Sequence, residues 1–149
     1  SVSMERIANE VISELSESVK AKKITTSVSG KASVLADEKR MFALMQNLIS
    51  NAVNYNKEGG LIEVNLEETD RSSVICIKDT GIGISEENIP HLCERFYRVD
   101  KSRSKKTGGT GLGLAIVKHI CALYGGEISI KSELDVGTEV TVVFKKQNI

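Results

Sequence analysis

Hydrophobic residues in two segments of the chain recur at the spacing of an α-helix. In residues 4–22 they stand four positions apart, and in residues 38–55 they form a broader arc that includes Leu44 and Leu48. Residues at this spacing share one helix face. Asp37 is a suitable N-cap for the second segment, because its carboxylate accepts a hydrogen bond from a free N–H group. The pattern predicts amphipathic helices over residues 4–22 and 38–55.

Alternation of apolar and polar residues predicts β-strands in much of the remaining chain. It is clearest in residues 61–68, where Ile62, Val64 and Leu66 share one face. Residues 73–79 are rich in β-forming side chains. Further strands are predicted over residues 22–30, 32–37, 127–133 and 138–146.

A third helix is predicted over residues 112–126, "LGLAIVKHICALYGG", which ends in two glycines. Together with the strands it indicates an α/β two-layer sandwich, in which one mixed sheet carries the helices on one face. The whole length, 149 residues, suits one domain.

Composition excludes several functional classes. The chain has 20 basic residues (lysine and arginine together) and 20 acidic residues (aspartate and glutamate together). It therefore lacks the basic excess of a nucleic-acid-binding protein. The three cysteines, Cys76, Cys93 and Cys121, form no CxxC pattern, which predicts neither a disulfide nor a zinc site. We find no apolar run long enough to span a membrane and no signal peptide.

The segment "NLISNAVNYN", residues 47–56, places several asparagines in a predicted helix, although asparagine is a poor helix former. Asn47, Asn51 and Asn54 lie on one strip beside the apolar arc. An amide oxygen is a hard, neutral ligand that suits Mg²⁺ when phosphates supply most of the charge. The spacing alone is equally compatible with solvated surface amides.

Two glycine-rich segments are candidates for ligand contacts. In "DTGIGI", Asp79 ends a strand and Gly81 and Gly83 follow. Glycine there permits close backbone approach to a ligand, although an ordinary strand-to-helix turn also explains it. "GGTGLGLAIV", residues 108–117, opens a helix, and free N–H groups at a helix start bind phosphate.

Basic residues precede the second glycine segment between positions 98 and 106. Beside a phosphate-binding helix start they indicate a phosphate role, although such runs are often solvated loops. The segment is neither a Rossmann fingerprint nor a P-loop, since no strand precedes it and no GxxxxGK[ST] occurs.

Taken in order, "NLISNAVNYN", "DTGIGI", "ERFYRVD", "GGTGLGL" and "GTEV" resemble the motifs of the ATP-binding catalytic domain of PhoR-like sensor histidine kinases. The resemblance covers essentially the whole chain. It implies a single domain, residues 1–149, of the Bergerat (GHKL) fold. That fold has a mixed, mainly antiparallel sheet of about five strands plus a short hairpin, packed under three main helices.

The resemblance also implies a site for ATP and Mg²⁺. Asn51 would coordinate the metal, with Asn47 beside it and Tyr55 near the ribose and phosphates. Asp79 would accept the adenine N6–H group, with Gly81 and Gly83 shaping the pocket and Thr138 contacting adenine through water. Residues 98–110 would form a lid over the nucleotide. The remaining implied nucleotide contacts are Tyr97, Arg98, Lys105, Gly109, Gly111, Leu112, Gly113 and Leu114.

Two positions depart from the family pattern, which often has lysine where Asn54 stands and phenylalanine where Cys93 stands. The first leaves one phosphate cation missing, which a lysine of the lid could replace. The second implies looser packing of the lid. His91 and His119 are interpreted as structural rather than as phosphoacceptors.

The implied activity is transfer of the ATP γ-phosphoryl group to a histidine of a separate dimerisation domain, absent from this chain. The implied partners are that domain and a response-regulator receiver domain. We expect the isolated domain to be a monomer, and its parent to be a membrane-anchored kinase with this domain in the cytoplasm.

Two other functions remain open from the sequence. ATP-hydrolysing relatives carry a glutamate one turn before the metal-binding asparagine, where this chain has Asn47. An amide cannot take a proton from water at neutral pH. The second alternative is a docking module that uses the fold without binding ATP.

Overall fold

The computed structural model describes residues 1–83 and 113–146. The helices are α1 Met4–Glu14, α2 Ser16–Ala21, α3 Glu38–Asn54 and α4 Gly113–Leu123. The strands are β1 Val2–Ser3, β2 Thr25–Gly30, β3 Ser33–Val34, β4 Leu61–Glu68, β5 Ser72–Asp79, β6 Gly126–Glu133 and β7 Gly137–Lys145.

Five of the strands form one mixed sheet in the order β2-β4-β5-β7-β6. The β2–β4 pair is parallel and the other three pairs are antiparallel. The register places Asp79, the last residue of β5, opposite Ile62 on one side and Thr138 on the other. The predicted mixed, mainly antiparallel sheet is confirmed.

A short antiparallel strand pair accompanies the main sheet, where the resemblance implies a short hairpin, and its two strands are not consecutive in the chain. Residues of β3 pair with β1 in a separate antiparallel sheet, with Val2 opposite Val34, whereas β2 joins the main sheet. Local alternation indicates a strand but not its partner, and β1 is too short to carry any pattern. The Ser73 hydroxyl donates to the Ser33 carbonyl at 2.6 Å, which fixes β3 beside β5.

The single helix predicted over residues 4–22 is two helices that meet at Leu15. Leu15 has φ −91° and ψ 12°, a conformation outside the α-helical range. Hydrogen bonds nevertheless continue through the junction, since Leu15 N–H donates to the Val11 carbonyl and Val19 N–H to the Leu15 carbonyl. The predicted apolar face is preserved, with Ile7 and Val11 fully buried.

The core lies between one face of the sheet and the helices. Ile62, Val64 and Leu66 of β4 are buried while their neighbours along the strand are exposed, as the alternation predicts. Helix α3 packs between α1 and α4 and contacts β4 and β5. Its apolar arc, including Leu44 and Leu48, is buried.

Within residues 1–83 and 113–146, no helix is both long and apolar enough to cross a membrane.

Candidate functional site

Asp79 ends strand β5 with a partly buried carboxylate held by two main-chain donors. Its Oδ1 accepts hydrogen bonds from Gly81 N–H at 2.9 Å and from Thr138 N–H at 3.2 Å. Burial raises the pKa of this carboxyl group, and the two N–H donors oppose the rise. Among the described residues no donor meets Oδ2, so this oxygen is oriented by the fold yet available as an acceptor.

The turn after Asp79 lies against the C-terminal end of α3. Ile82 N–H donates to the Tyr55 carbonyl at 3.1 Å. A Cβ on Gly81 would clash with that same carbonyl. The glycine is therefore required by close contact between two segments of the backbone, and this contact joins the asparagine-rich helix to the aspartate.

Gly83 lies against the β6–β7 hairpin. It has φ +73°, and a Cβ there would clash with the Glu133 carbonyl. One residue earlier, the Ile82 carbonyl accepts a hydrogen bond from Asp135 N–H at 2.7 Å. The absence of a side chain at Gly81 and Gly83 thus serves protein packing, and it fixes the loop that follows Asp79.

Thr138, the second predicted adenine contact, sits at the start of β7 opposite Asp79. Its hydroxyl lies 2.8 Å from the Ser132 hydroxyl, which also donates to the Gly137 carbonyl at 2.9 Å. A Cβ on Gly137 would clash with the Asp79 carbonyl. The hairpin and the strand end are therefore closely packed around the carboxylate.

The three predicted asparagines follow one another along α3, and all are partly buried. The Asn47 amide donates to the Ala43 carbonyl of its own helix at 2.7 Å, which leaves its oxygen free to accept. The Asn54 amide lies 3.5 Å from the Ser50 hydroxyl. Within the described residues the Asn51 side chain makes no hydrogen bond. Tyr55 follows as the C-cap of α3 and is also partly buried.

Helix α4 packs against α3, and the residue just beyond its C-terminal end contacts the start of α3. Asp37 N–H at the start of α3 donates to the Tyr124 hydroxyl just beyond the end of α4 at 3.2 Å, and the two helices pack along each other. The helix begins at Gly113, and its 11 residues make it about 16 Å long. Leu114, the next residue, is partly buried.

Several predicted contacts lie outside the described residues, as do Cys93, His91 and the predicted lid. These predicted contacts are Tyr97, Arg98, Lys105, Gly109, Gly111 and Leu112.

Sequence reasoning missed the residues that hold the site together. Asn56 is 4% exposed. Its amide donates to the Leu61 carbonyl at 3.1 Å, and its oxygen accepts from Lys57 N–H at 2.9 Å and the Thr80 hydroxyl at 3.3 Å. The Lys22 ammonium group lies on the last turn of α3. The position of Asn56 directly after a helix is a weak signal of its structural role. Nothing in the sequence indicates the role of Lys22.

A family model described as "Histidine kinase-, DNA gyrase B-, and HSP90-like ATPase" matches residues 36–148. The chain belongs to this family. The match includes α3, the Asp79 loop and the β6–β7 hairpin, which are the elements that pack against one another beside Asp79.

Relatives of this ATPase domain are sensor histidine kinases. The chain is 47% identical over 115 residues to the sensor histidine kinase YkoH of Bacillus subtilis, covering 77% of this chain and 25% of YkoH. It is 36% identical over 141 residues to the sensor histidine kinase RppB of Synechocystis, covering 90% of this chain and 31% of RppB. The chain therefore spans a quarter to a third of the length of these curated relatives.

Solved structures agree with the fold. The mycobacterial sensor histidine kinase MprB superposes with a TM-score of 0.83 at 26% identity, covering 99% of each chain. Full-length ShkA in complex with AMPPNP superposes with a TM-score of 0.80 at 28% identity, covering 96% of this chain and 30% of ShkA. The implied histidine-kinase ATPase fold is confirmed.

The described residues fit a nucleotide with its metal. A partly buried carboxylate, with one oxygen that no donor among the described residues meets, suits an exocyclic amino group. Asn51 and Asn47 offer amide oxygens, which are neutral ligands. Among residues 1–83 and 113–146, no three His, Cys, Asp or Glu side chains are arranged to hold a metal. Because amide oxygens are neutral, a cation held by Asn51 and Asn47 would depend on phosphate oxygens for most of its charge neutralisation.

Proposed function

We propose that this histidine-kinase ATPase domain binds Mg·ATP and presents the γ-phosphoryl group to a histidine on the dimerisation domain of a sensor kinase. The Asp79 carboxylate carries the proposal. It is desolvated, its Oδ1 is held by Gly81 and Thr138, and Oδ2 remains as a fixed acceptor. A carboxylate oxygen kept partly buried at an energetic cost is typical of a binding site.

In this proposal Asp79 selects adenine over guanine. Its acceptor oxygen would receive the N6–H group of adenine, whereas guanine would place its O6 acceptor there. An unmade buried hydrogen bond costs about 1–3 kcal/mol. Thr138 would contact the base through water, and Gly81 and Gly83 would hold the loop beneath it. The complex of ShkA with AMPPNP supports nucleotide binding by this fold.

The asparagine segment would orient the triphosphate. Asn51 would ligate the metal through its amide oxygen, and Asn47 would assist one turn earlier. Tyr55 would lie beside the ribose and phosphates. Mg²⁺, when bound, would neutralise phosphate charge. Gly113 and Leu114 at the start of α4 would seat the phosphates, because free N–H groups and the helix dipole favour anions there. Tyr97, Arg98, Lys105, Gly109, Gly111 and Leu112 would complete the contacts.

Asn47 distinguishes phosphotransfer from hydrolysis. A neutral amide that donates to the Ala43 carbonyl is not a general base for water. No base is proposed within this chain, since the phosphoacceptor histidine and any base beside it would belong to the dimerisation domain. Phosphotransfer depends mainly on positioning and charge neutralisation.

The parent protein is proposed to be a two-component sensor kinase anchored in a membrane, with this domain in the cytoplasm. Its partners would be its own dimerisation domain and a response-regulator receiver domain. The similarity to YkoH and RppB supports this proposal.

Calorimetric titration of the chain with Mg·ATP, combined with an ADP assay on the same sample, tests the function. We expect binding with negligible turnover, followed by phosphotransfer once an acceptor domain is supplied. Steady hydrolysis without an acceptor would instead indicate an ATPase. Absence of binding would indicate a docking module.

A further inference from the structure

We infer that Lys22, which lies outside the family-matched segment 36–148, is a positioning residue for the nucleotide site. This inference rests on the proposed function. The Lys22 ammonium group holds the C-terminal end of α3, and that end holds the loop that follows Asp79.

The ammonium group meets three main-chain carbonyls at the end of α3. Lys22 Nζ lies 3.0 Å from the Val53 oxygen, 2.8 Å from the Asn54 oxygen and 3.3 Å from the Asn56 oxygen. The last carbonyls of a helix have no intrahelical partner, so they need donors from elsewhere. The Val53 carbonyl also accepts from Asn56 N–H at 3.2 Å, and Lys22 adds a cationic donor to it and to the Asn54 and Asn56 carbonyls.

The backbone of Lys22 is itself fixed. Its carbonyl accepts a hydrogen bond from Gly59 N–H at 2.8 Å, and its N–H donates to the Ser18 carbonyl at 3.2 Å. The residue therefore links the end of α2 to the turn between α3 and β4. The backbone from which the ammonium side chain extends is therefore held in place.

The carbonyls that Lys22 holds flank the one that supports the Asp79 loop. Tyr55 lies between Asn54 and Asn56, and its carbonyl accepts from Ile82 N–H at 3.1 Å while Gly81 packs against it. Tyr55 N–H in turn donates to the Asn51 carbonyl at 3.0 Å. One ammonium group thus fixes the backbone between the proposed metal ligand, Asn51, and the proposed adenine acceptor, Asp79.

The positive charge of Lys22 would also favour nucleotide binding near the end of α3. The C-terminal end of a helix carries negative partial charge, which disfavours a nearby anion. The proposed triphosphate would lie beside the last turns of α3, and a cation on the terminal carbonyls offsets this repulsion. Through these contacts with the main chain, Lys22 would act on the nucleotide by way of α3.

Three variants and a stability control test the inference. Lys22→Met keeps the apolar stem and removes the donors, Lys22→Arg keeps a cationic donor, and Lys23→Met alters the neighbouring exposed lysine that pairs with Glu58 at 3.5 Å. Val34→Ala lowers stability in β3, away from the end of α3. Each variant is studied well below its unfolding temperature.

We expect Lys22→Met to weaken Mg·ATP binding about tenfold, since several hydrogen bonds to the last turn are lost. Lys22→Arg should restore most of the affinity, and Lys23→Met and Val34→Ala should bind as the unmodified chain does. Equal affinity of folded Lys22→Met and the unmodified chain would overturn the inference. So would equal losses in Lys22→Met and Val34→Ala, because the effect would then be general destabilisation.

Amide hydrogen exchange in the nucleotide-free protein separates this inference from the proposed function. Lys22→Met should accelerate exchange at Ile82 N–H, and Lys23→Met should not. If the unmodified chain binds no Mg·ATP, the proposed function fails and Lys22 loses its role at a nucleotide site. The exchange result still decides whether Lys22 positions the loop. Should Lys22→Met not fold, Lys22→Gln replaces it under the same criteria.

Discussion

The main-chain N–H of Thr138 donates to Oδ1 of Asp79 at 3.2 Å, across a registered pair of strands β5 and β7. Gly81 N–H donates to the same oxygen at 2.9 Å. Two fixed donors on one oxygen set the orientation of the carboxylate and direct Oδ2 away from both. The strand register therefore places an acceptor before any ligand arrives.

Replacing Asp79 by asparagine should abolish most nucleotide affinity. The new amide oxygen can keep the bonds to Gly81 and Thr138, and an N–H₂ donor then replaces Oδ2 and faces the adenine amino group. We expect Mg·ATP binding to weaken by about ten- to a hundredfold, from an unmade buried hydrogen bond of about 1–3 kcal/mol. Calorimetry measures the change, with Asp70→Asn in an exposed turn as the control. Normal affinity in Asp79→Asn would refute the adenine assignment.

Although Asp79→Asn should weaken nucleotide binding, it should not lower the stability of the folded protein. Burial raises the pKa of Asp79 despite the two N–H donors. The folded state therefore holds the proton of this carboxyl group more tightly than the unfolded state does. The resulting stabilisation is present below the ordinary aspartate pKa and is lost as pH rises through the raised value. Because asparagine does not ionise, Asp79→Asn avoids that loss of stability. We expect its unfolding temperature at neutral pH to equal or exceed that of the unmodified chain.

The sign of this effect is tested by its pH dependence. The difference in unfolding temperature, variant minus unmodified chain, should shrink as pH falls toward about 3, where Asp79 is neutral. A difference that grows toward acid pH would contradict a raised pKa. Thermal unfolding followed by circular dichroism at several pH values measures it.

Asn51→Ala should remove metal-dependent phosphotransfer while preserving the fold. Within the described residues the Asn51 side chain makes no hydrogen bond, so its loss should change stability little. We expect the rate to fall on the order of a hundredfold, because a metal ion contributes several kcal/mol of charge stabilisation. The assay supplies an acceptor domain and varies Mg²⁺, with Asn9→Ala on the exposed side of α1 as the control. An unchanged rate would exclude Asn51 as the ligand.

Gly83→Ala should destabilise the protein more than Gly59→Ala. Both glycines have positive φ, +73° and +76°, and the left-handed conformation costs an alanine about 1–2 kcal/mol. At Gly83 the new Cβ would also clash with the Glu133 carbonyl, whereas Gly59 faces open space. Denaturant unfolding of both variants measures the difference. Equal losses would mean that the hairpin yields freely and does not fix the loop.

Side-chain periodicity predicted most of the fold, because it reports burial, which is a local property of helices and strands. The alternation of Ile62, Val64 and Leu66 and the arc through Leu44 and Leu48 gave correct elements. Strand partners are a different matter. Nothing local distinguishes β3 pairing with β1 from β3 pairing with β2, because register depends on which apolar faces meet in the core.

The sequence by itself determined the family and the candidate ligands, since ordered motifs such as "NLISNAVNYN" and "DTGIGI" retain residue types that one chemistry requires. Only the tertiary structure decided how those residues are held. The contacts of Lys22 with the end of α3, of Tyr55 with Ile82, and of Thr138 with Asp79 each join segments that are far apart along the chain. Each of these contacts uses at least one main-chain group. Proline apart, main-chain donors and acceptors are the same at every residue, so the sequence does not indicate which of them will be used, and packing decides it.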